Sequence, residues 1–580
     1  MRIKKSELLV TTLKFYVQRY AQASKVLFIF LCILFLLLSA FLLSFAQEIG
    51  REATGTTGMV VAGKPEAVRS GLSILQNGGN AADAAVAAIL VLSVKHIGAF
   101  CPGGEVPLIY YDSRTHQTTV LAGQGAAPLD QQAIDWYLKN GIPGGDIKSA
   151  AVPAAIDLCV QTLRLFGTRS FEEVSEPVRK ILETGGPSWY IDTSDGDTID
   201  THRNWYADLH RTFLKLVEAE KKAIGNREEK LKAVSNRFYR GDIADSLDAW
   251  YRAQGGFLRK RDLVAHVTRS DEPLSVNYRG YTVYKCGPWT QGPYLLQTLR
   301  LLEGYDLKKY SQLSADYIHL IVECMKLALA DRDAFYGDPL FSNIPMLALL
   351  SDQYTNLRRS LINMAVASPI LQPGDPYQMK PIMEGTFPWT EQGGTTTLCV
   401  ADRWGNVVAA TPSGLGSTAG SGGSTGVIHG TRLVSLNTWI GHPNCIEAGK
   451  RPRITLTPTL VVKDHKAIAA ISVAGGDLQD QAALQLLLDF IDFNQYPSEA
   501  IKIPRFSTAH HVGSFGQDQP HYGSLTIQQG ISDDVINELS KRGHHIKKTS
   551  HGIGGAAMLV IDPETGEMYG AGAAAGGLNK

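Results

Sequence analysis

A pair of glycines followed by three threonines, at 393–397, constrains this chain more than any other stretch. A short apolar run, a turn-like segment at 402–406 and a second apolar run at 407–410 follow, which predicts a β-hairpin. On the simplest interpretation the threonines begin its first strand, because threonine favours strands. Gly394, however, has no Cβ to shield its carbonyl carbon from the hydroxyl of Thr395. Attack there would cut the chain and give Thr395 a free α-amino base beside its own hydroxyl nucleophile.

The composition narrows the class of protein. The 580 residues include 56 basic and 56 acidic side chains, so the formal net charge is zero and no positive field is available to attract nucleic acid. The seven cysteines show neither zinc-ligand nor disulfide-scaffold spacing. We therefore expect buried thiols, no metal site and no cofactor.

The amino terminus reads as a targeting segment. Residues 1–25 are basic, and 26–46 form a continuous uncharged apolar run. Small residues before Gln47 are typical of a signal-peptidase site, although the run is also long enough to span a bilayer as an uncleaved anchor. Export with cleavage is the favoured interpretation. Either way the basic flank keeps the amino end in the cytoplasm, and we expect the remainder to be extracytoplasmic.

Strands alternate with apolar helices along the rest of the chain, which predicts an α/β protein of stacked layers. Gly78 and Gly79 are expected to close one helix, and Asn80 to cap an alanine-rich second helix. Residues 278–284 are predicted to form a single strand. Gly475 and Gly476 follow a strand and precede a helix, a position where backbone N–H groups can point at an anion.

Three charged or titratable residues fall on one face of a predicted helix: His319, Glu323 and Lys326. A metal site is one interpretation of this spacing. A hydrogen-bonded structural face is the favoured one.

Taken together, these landmarks resemble the gamma-glutamyltranspeptidase family of N-terminal-nucleophile hydrolases. Each piece is weak alone, but their order and spacing over roughly 58–570 are specific. The matching stretches are 78–87 (GGNAADAAVA), 238–241 (FYRG), 331–332 (DR), 337–339 (GDP), 395–396 (TT), 450–452 (KRP) and 457–459 (TPT).

The resemblance implies a four-layer αββα sandwich made as one precursor and cut between Gly394 and Thr395. The chain would then consist of a targeting segment at 1–46, a large piece at 47–394 and a small piece at 395–580.

The resemblance also implies roles for individual residues. Thr395 would be the nucleophile, and Ser413 falls where the family keeps a supporting hydroxyl. Gly475 and Gly476 fall on the glycines of the oxyanion hole, and Thr455 on one of two hydroxyl positions at the substrate carboxylate.

Departures from the family pattern cluster where the substrate binds. Gln124 aligns with the arginine that grips the glutamyl carboxylate, Ile454 with the second hydroxyl position, and Leu415 with an asparagine. Asn437 lies at the substrate end of the site, but the aspartate just past it aligns within 440–442, where no residue is acidic. Losing charge-assisted bonds worth roughly 1.5–3 kcal/mol each would weaken binding of an amino-acid zwitterion.

The sequence therefore predicts an exported, self-processing amidase or acyltransferase with altered glutamyl recognition. Its substrate would be a small acyl amide, and a gamma-glutamyl compound such as glutathione is the alternative within that class. An alternative of another kind is a non-catalytic, membrane-anchored binding protein that kept the fold.

Overall fold

The computed structural model describes residues 49–184, 205–383, 395–414 and 419–579. The predicted targeting segment, Gly394 and Leu415 lie outside those ranges. Among the described residues, no helix combines the length and apolar character needed to cross a bilayer.

The strands of these ranges vary from two to eleven residues. They are β1 (Gly50–Gly55), β2 (Gly58–Ala62), β3 (Val106–Asp112), β4 (Gln117–Gly123), β5 (Arg269–Asp271), β6 (Leu274–Tyr278), β7 (Tyr281–Lys285), β8 (Leu398–Asp402), β9 (Val407–Ala410), β10 (Thr459–Lys463), β11 (Lys466–Ala474), β12 (Phe506–Ser507), β13 (Ser524–Gln528), β14 (His545–Thr549), β15 (Gly555–Ile561) and β16 (Met568–Leu578).

The helices surround these strands. They are α1 (Pro65–Gln76), α2 (Ala81–Lys95), α3 (Gln131–Asn140), α4 (Ala155–Leu165), α5 (Phe171–Glu183), α6 (Trp205–Lys222), α7 (Arg227–Tyr239), α8 (Asp242–Ala253), α9 (Lys260–Ala265), α10 (Pro293–Leu302), α11 (Ala315–Phe335), α12 (Met346–Leu349), α13 (Asp352–Arg359), α14 (Leu478–Ile491), α15 (Pro497–Ala500) and α16 (Asp533–Lys541).

One antiparallel sheet of 13 strands organises the molecule. Its order is β5-β4-β3-β9-β8-β2-β16-β15-β11-β10-β7-β6, and β1 also pairs with β16. Strands on either side of the predicted cut alternate in this order, since β8 and β9 lie between β2 and β3, and β10 pairs with β7. The short strands β12, β13 and β14 form a separate sheet.

The large sheet folds over on itself, because strands far apart in its order touch: β8 packs on β11 and β15, and β9 packs on β11. Side chains alternate between the faces, as the pleat requires. Val61 and Leu559 share the inner core between the two halves of the sheet, whereas Val60 faces a helical layer on one side and Met558 a second helical layer on the other. The arrangement is helix, sheet, sheet, helix, which confirms the predicted αββα sandwich.

Helix α2 is the central element of one helical layer and is buried from Ala81 to Val94. Its alanines leave room for close contact with α1 and the sheet. The predicted cap is present, since the Asn80 side chain accepts from the nitrogen of Asp83 and the Asp83 side chain accepts from the nitrogen of Asn80. The Ala81 nitrogen donates to the Asp402 carboxylate in the hairpin turn at 2.9 Å.

The prediction of a single strand over 278–284 is wrong. The chain reverses at Arg279 (φ 52°) and Gly280 (φ 86°), so that β6 and β7 pair as an antiparallel hairpin. Two successive residues with positive φ form the two-residue turn that suits twisted strands.

Candidate active site

The three threonines enter the sheet just before β8. The Thr396 nitrogen donates to the carbonyl of Pro412 at 2.9 Å, and the Gly63 nitrogen donates to the carbonyl of Thr397 at 3.1 Å. A Cβ on Gly63 would lie 2.3 Å from the Thr396 hydroxyl, so only glycine fits beside this strand. Thr395 is therefore held at the strand entrance by the pairing of its neighbours.

Thr395 and Thr396 direct their hydroxyls to different partners. With the Gln479 amide turned so that its oxygen faces Thr395, that oxygen accepts from Thr395 Oγ1 at 3.1 Å. The Gln479 nitrogen then donates to the carbonyls of Thr455 at 2.9 Å and Val473 at 3.1 Å, whereas the opposite orientation points the amide oxygen only at acceptors. The Thr396 hydroxyl instead contacts His96 Nδ1 at 2.9 Å. Of these two hydroxyls, that of Thr395 contacts the first turn of α14, through Gln479.

Gly475 and Gly476 lie between β11 and α14, a few residues before Gln479. Their φ angles are +134° and +59°, so both use backbone conformations that favour glycine. Among the described residues, neither nitrogen donates a hydrogen bond. Two such N–H groups at the amino end of a helix are suited to donate to a negatively charged oxygen.

Ser413 lies beside the threonines because its neighbour Pro412 pairs with Thr396. Its hydroxyl accepts from the Arg432 guanidinium at 2.8 Å. Arg432 also forms an ion pair with buried Glu105, whose backbone bonds to Ser413 in both directions at 2.9 Å. Burial raises the pKa of Glu105, and Arg432 opposes that rise.

The residue after the glycine pair, Asp477, is tied into a buried polar cluster. It accepts from the nitrogen of Ser514 at 2.9 Å and forms an ion pair with Arg332. Burial alone would raise the pKa of this carboxyl, but Arg332, His511 and Arg453 together hold it well below its usual range. Asp477 is therefore charged, and its contacts fix the turn that carries the two glycines.

The predicted substrate residues are placed as follows. Thr455 is buried against Gln479, and Ile454 beside it is fully buried. Gln124 is also buried, and its amide nitrogen donates to the carbonyl of Pro452. Asn437 contacts His442 Nδ1 through its own Nδ2 at 2.9 Å. The structure thus links Thr395 to Thr455 through Gln479, while Gln124 and Asn437 bind neighbouring protein groups.

The helical face at His319 is a hydrogen-bonded network. His319 Nδ1 lies 2.9 Å from His544 Nε2, and its Nε2 lies 2.8 Å from the carbonyl of Asn363. Lys326 donates to Glu323 at 2.7 Å. His319, Glu323 and His544 offer ligand atoms within 4.8 Å of one another, and Glu323 also accepts from Lys326 and, at 3.0 Å, from the nitrogen of Ser368.

Sequence reasoning did not identify Gln479, Arg432 or Arg453 as residues of this region. Gln479 had a signal, namely a polar side chain in the first helical turn after a glycine pair. Arg453 lies two positions before Thr455, between the two motif matches at 450–452 and 457–459. Nothing local distinguishes Arg432.

Comparison with known proteins finds relatives over most of the chain. The family model described as Gamma-glutamyltranspeptidase matches residues 67–575. The Glutathione hydrolase proenzyme of Bacillus subtilis (strain 168) is 29% identical over 555 residues, covering 90% of this chain and 91% of that protein. The Acylase ACY 1 proenzyme of Pseudomonas sp. (strain V22) is 27% identical over 562 residues, covering 90% and 92%.

A solved structure shares the fold. The crystal structure of cephalosporin acylase from Bacillus halodurans superposes with a TM-score of 0.76 at 24% identity, covering 92% of this chain and 97% of that one.

Proposed function

Because the chain belongs to the gamma-glutamyltranspeptidase family, we propose that it is a self-processing amide hydrolase or acyltransferase with Thr395 as its nucleophile. The observation that carries the proposal is the contact between the Thr395 hydroxyl and Gln479, beside two glycine N–H groups that donate to no acceptor among the residues that the structure describes. Nucleophile and oxyanion donors are the two parts that acyl transfer requires.

Processing comes first in this proposal. In the uncut chain the Thr395 nitrogen is an amide and cannot act as a base. Attack of the Thr395 hydroxyl on the carbonyl carbon of Gly394 would form an ester with the loss of the peptide bond, and water would then release residue 394 as a carboxylate. The product has a free α-amino group, whose pKa of roughly 7.7–8.0 suits a base near neutral pH.

Turnover then follows the same chemistry on an external amide. The Thr395 Oγ1 attacks the acyl carbon, and its proton passes through the α-amino group to the leaving amine. Gly475 and Gly476 N–H groups hold the oxyanion. Water or an amine acceptor resolves the acyl ester and regenerates the hydroxyl.

The acyl group is proposed to differ from an unmodified glutamyl group. Gln124 is buried and donates to the carbonyl of Pro452, so it offers no guanidinium fork to a carboxylate. Ile454 has no hydroxyl that could donate a hydrogen bond to a substrate carboxylate. The name of the Bacillus subtilis relative favours a gamma-glutamyl substrate and that of the Pseudomonas relative another acyl amide. Turnover of a gamma-glutamyl anilide beside uncharged acyl anilides separates the two.

The segment at 1–46 is proposed to direct export. The apolar run at 26–46 after a basic segment supports this, and N-terminal sequencing of the exported protein should begin at Gln47. Residues upstream of Gln47 on that protein would instead indicate an anchor.

The test of the function is a denaturing gel and intact-mass measurement on wild type and two variants. Wild type should give two pieces that separate at Thr395. Thr395→Ala should give one uncut, inactive chain, because it removes the attacking hydroxyl. Thr396→Ala is the matched control, since this neighbouring buried hydroxyl contacts His96, and it should still process.

A single uncut wild-type chain with full amidase activity would contradict this mechanism. An uncut and inactive wild type would favour the non-catalytic binding protein.

A further inference from the structure

A fully buried lysine connects the two sides of the proposed cut. Lys285 ends β7, before residue 395, and its side chain has no exposed surface. Its ammonium donates to Asp480 Oδ1 at 2.6 Å, to the carbonyl of Thr457 at 2.8 Å and to Thr459 Oγ1 at 2.9 Å. All three acceptors lie after residue 395, so every N–H of the ammonium is used by the other part of the chain.

These acceptors belong to two elements that Gln479 also joins. Asp480 follows Gln479 in the first turn of α14. Thr457 lies two residues after Thr455, whose carbonyl accepts from the Gln479 nitrogen at 2.9 Å. Lys285 therefore fixes α14 relative to the segment at 455–459, and the orientation of Gln479 depends on both.

The position of Lys285 is set by the sheet and by close packing. Lys285 lies directly opposite Thr459 in the antiparallel β7–β10 ladder. A Cβ on Gly292 would lie 3.0 Å from Lys285 Cε, so the lysine stem packs against the backbone there. Burial lowers the pKa of Lys285, and the Asp480 carboxylate opposes that fall. An ammonium with three acceptors in this space has little freedom to shift.

Stability alone does not explain a buried ion pair of this kind. Two buried charges lose hydration that their attraction barely offsets, so an apolar pair of similar volume is often as stable. Directional charge-assisted hydrogen bonds do, however, fix the distance between the groups that they join. The glycine turn has a separate contact, because the Gln291 side chain donates to the carbonyl of Gly476 at 3.3 Å. Loss of Lys285 should therefore disturb Gln479 more than that turn.

We propose that Lys285 is a positioning residue for the attack by Thr395, because it holds the two elements that orient Gln479. The role rests on the proposed function. The part of the chain before residue 395 thereby keeps a task in the chemistry after the cut, and processing and turnover depend on the same lysine.

The test follows processing on a denaturing gel after cell-free synthesis, and turnover of an acyl anilide by the processed protein. In Lys285→Met the rate of processing and kcat should each fall roughly tenfold, the effect of one misplaced hydrogen bond, with KM nearly unchanged. Processing needs no external substrate, so a parallel loss in both rates separates positioning from substrate binding.

Lys326→Met is the matched control. Lys326 is also buried beside a carboxylate, but its acceptors, Glu323 and the carbonyl of Ser368, both precede residue 395. This variant should lower Tm and leave both rates unchanged.

A double variant keeps the result separate from stability. Lys285→Met leaves the Asp480 carboxylate buried without its ammonium and should lower Tm, whereas Lys285→Met combined with Asp480→Leu should recover much of that Tm. Both rates should stay low in the double variant, because Thr457 and Thr459 are no longer held by an ammonium. Wild-type rates in either Lys285 variant would overturn the assignment. An unprocessed, inactive wild type would instead defeat the proposed function, and this role with it.

Discussion

The hydroxyl of Thr395 has an acceptor that no motif marked. Gln479 presents its carbonyl oxygen to that hydroxyl and is itself fixed by two backbone carbonyls, those of Thr455 and Val473. A fixed acceptor selects one rotamer of the threonine side chain. Gln479 is therefore a positioning residue for the proposed attack.

Replacing this acceptor should slow chemistry more than it weakens binding. We expect Gln479→Met to lower kcat about tenfold with KM nearly unchanged, because one orienting hydrogen bond is lost. The measurement is steady-state kinetics on an acyl anilide together with the rate of processing. Gln485→Met, six residues further along α14, loses bonds to the carbonyls of Gln481 and Phe506 and is the control for stability alone. Equal kcat in the two variants would contradict the positioning role.

The sequence singles out only those residues that sit in contiguous motifs. Thr395 and the pair Gly475 and Gly476 could be singled out because strand, glycine and helix signals are local. Gln479 could not, because its importance depends on a partner far away in the chain. Its role, like that of Thr395, stays a prediction until tested.

The turn of the β8–β9 hairpin joins two elements. Both oxygens of Asp402 are used: one accepts from the nitrogens of Trp404 at 2.9 Å and Asn406 at 3.0 Å. The other accepts from Ala81 at the start of α2 and from the Asn406 side chain at 2.8 Å. One carboxylate thus shapes the turn and holds the buried helix against the hairpin that begins at the threonines.

Neutralising this carboxylate should loosen both elements. We expect Asp402→Asn to cost about 1–3 kcal/mol, because an amide nitrogen then faces donors in a buried turn. Thermal unfolding measures the loss, and a denaturing gel measures slower processing. The same change at Asp464 is the control, since that aspartate lies exposed in the β10–β11 turn with φ 48°, which asparagine tolerates. A Tm for Asp402→Asn equal to that of Asp464→Asn would refute this account.

The β6–β7 hairpin shows where element prediction failed. Residues 278–284 are rich in strand-forming side chains, and that composition hid the reversal at Arg279 and Gly280. Two-residue hairpin turns usually have asparagine or aspartate before glycine. Arginine at that position does not indicate a turn.

At the scale of the molecule, the alternation of strands and apolar helices predicts an α/β protein of stacked layers, whereas the αββα order was expected only from the resemblance to the family. The folding of one sheet into two facing layers has no local signal, since it depends on contacts such as that between Thr411 Oγ1 and Ser472 Oγ at 3.0 Å. Local periodicity carries no information on such pairs.

The buried histidines should favour unfolding in acid. Burial lowers the pKa to about 4 in His96, His266, His429 and His442. Histidines in the unfolded chain, with values near 6.5, bind more protons between pH 6.5 and 4, so the histidine contribution to stability should fall as the pH is lowered through that window. The carboxyls of Asp480 and Asp489, whose pKa burial raises to about 6 and about 7, act in the opposite direction. A Tm series over pH 8 to 4.5 measures this, and the histidines should contribute no slope above pH 7.

One variant isolates the effect. His429 Nε2 lies 2.6 Å from the Tyr251 hydroxyl, and His429 Nδ1 lies 2.7 Å from the carbonyl of Val427. His429→Gln should lower Tm near neutral pH yet reduce the acid slope, because a contribution on the order of 3 kcal/mol at pH 4 is removed. An unchanged slope would show that this histidine does not titrate on unfolding.

Because strands from both sides of Thr395 alternate in the sheet, the fold does not need the peptide bond before Thr395 to hold the two parts of the chain together. Among the described residues, five ladders join strands from opposite sides of that link: β1 with β16, β2 with β16, β2 with β8, β3 with β9 and β7 with β10. Severing the backbone there would leave two polypeptides that cannot part without unzipping the central layers. The two polypeptides would then separate only when the protein unfolds. The fold therefore does not depend on the peptide bond before Thr395, and the proposed processing could break it without loss of structure.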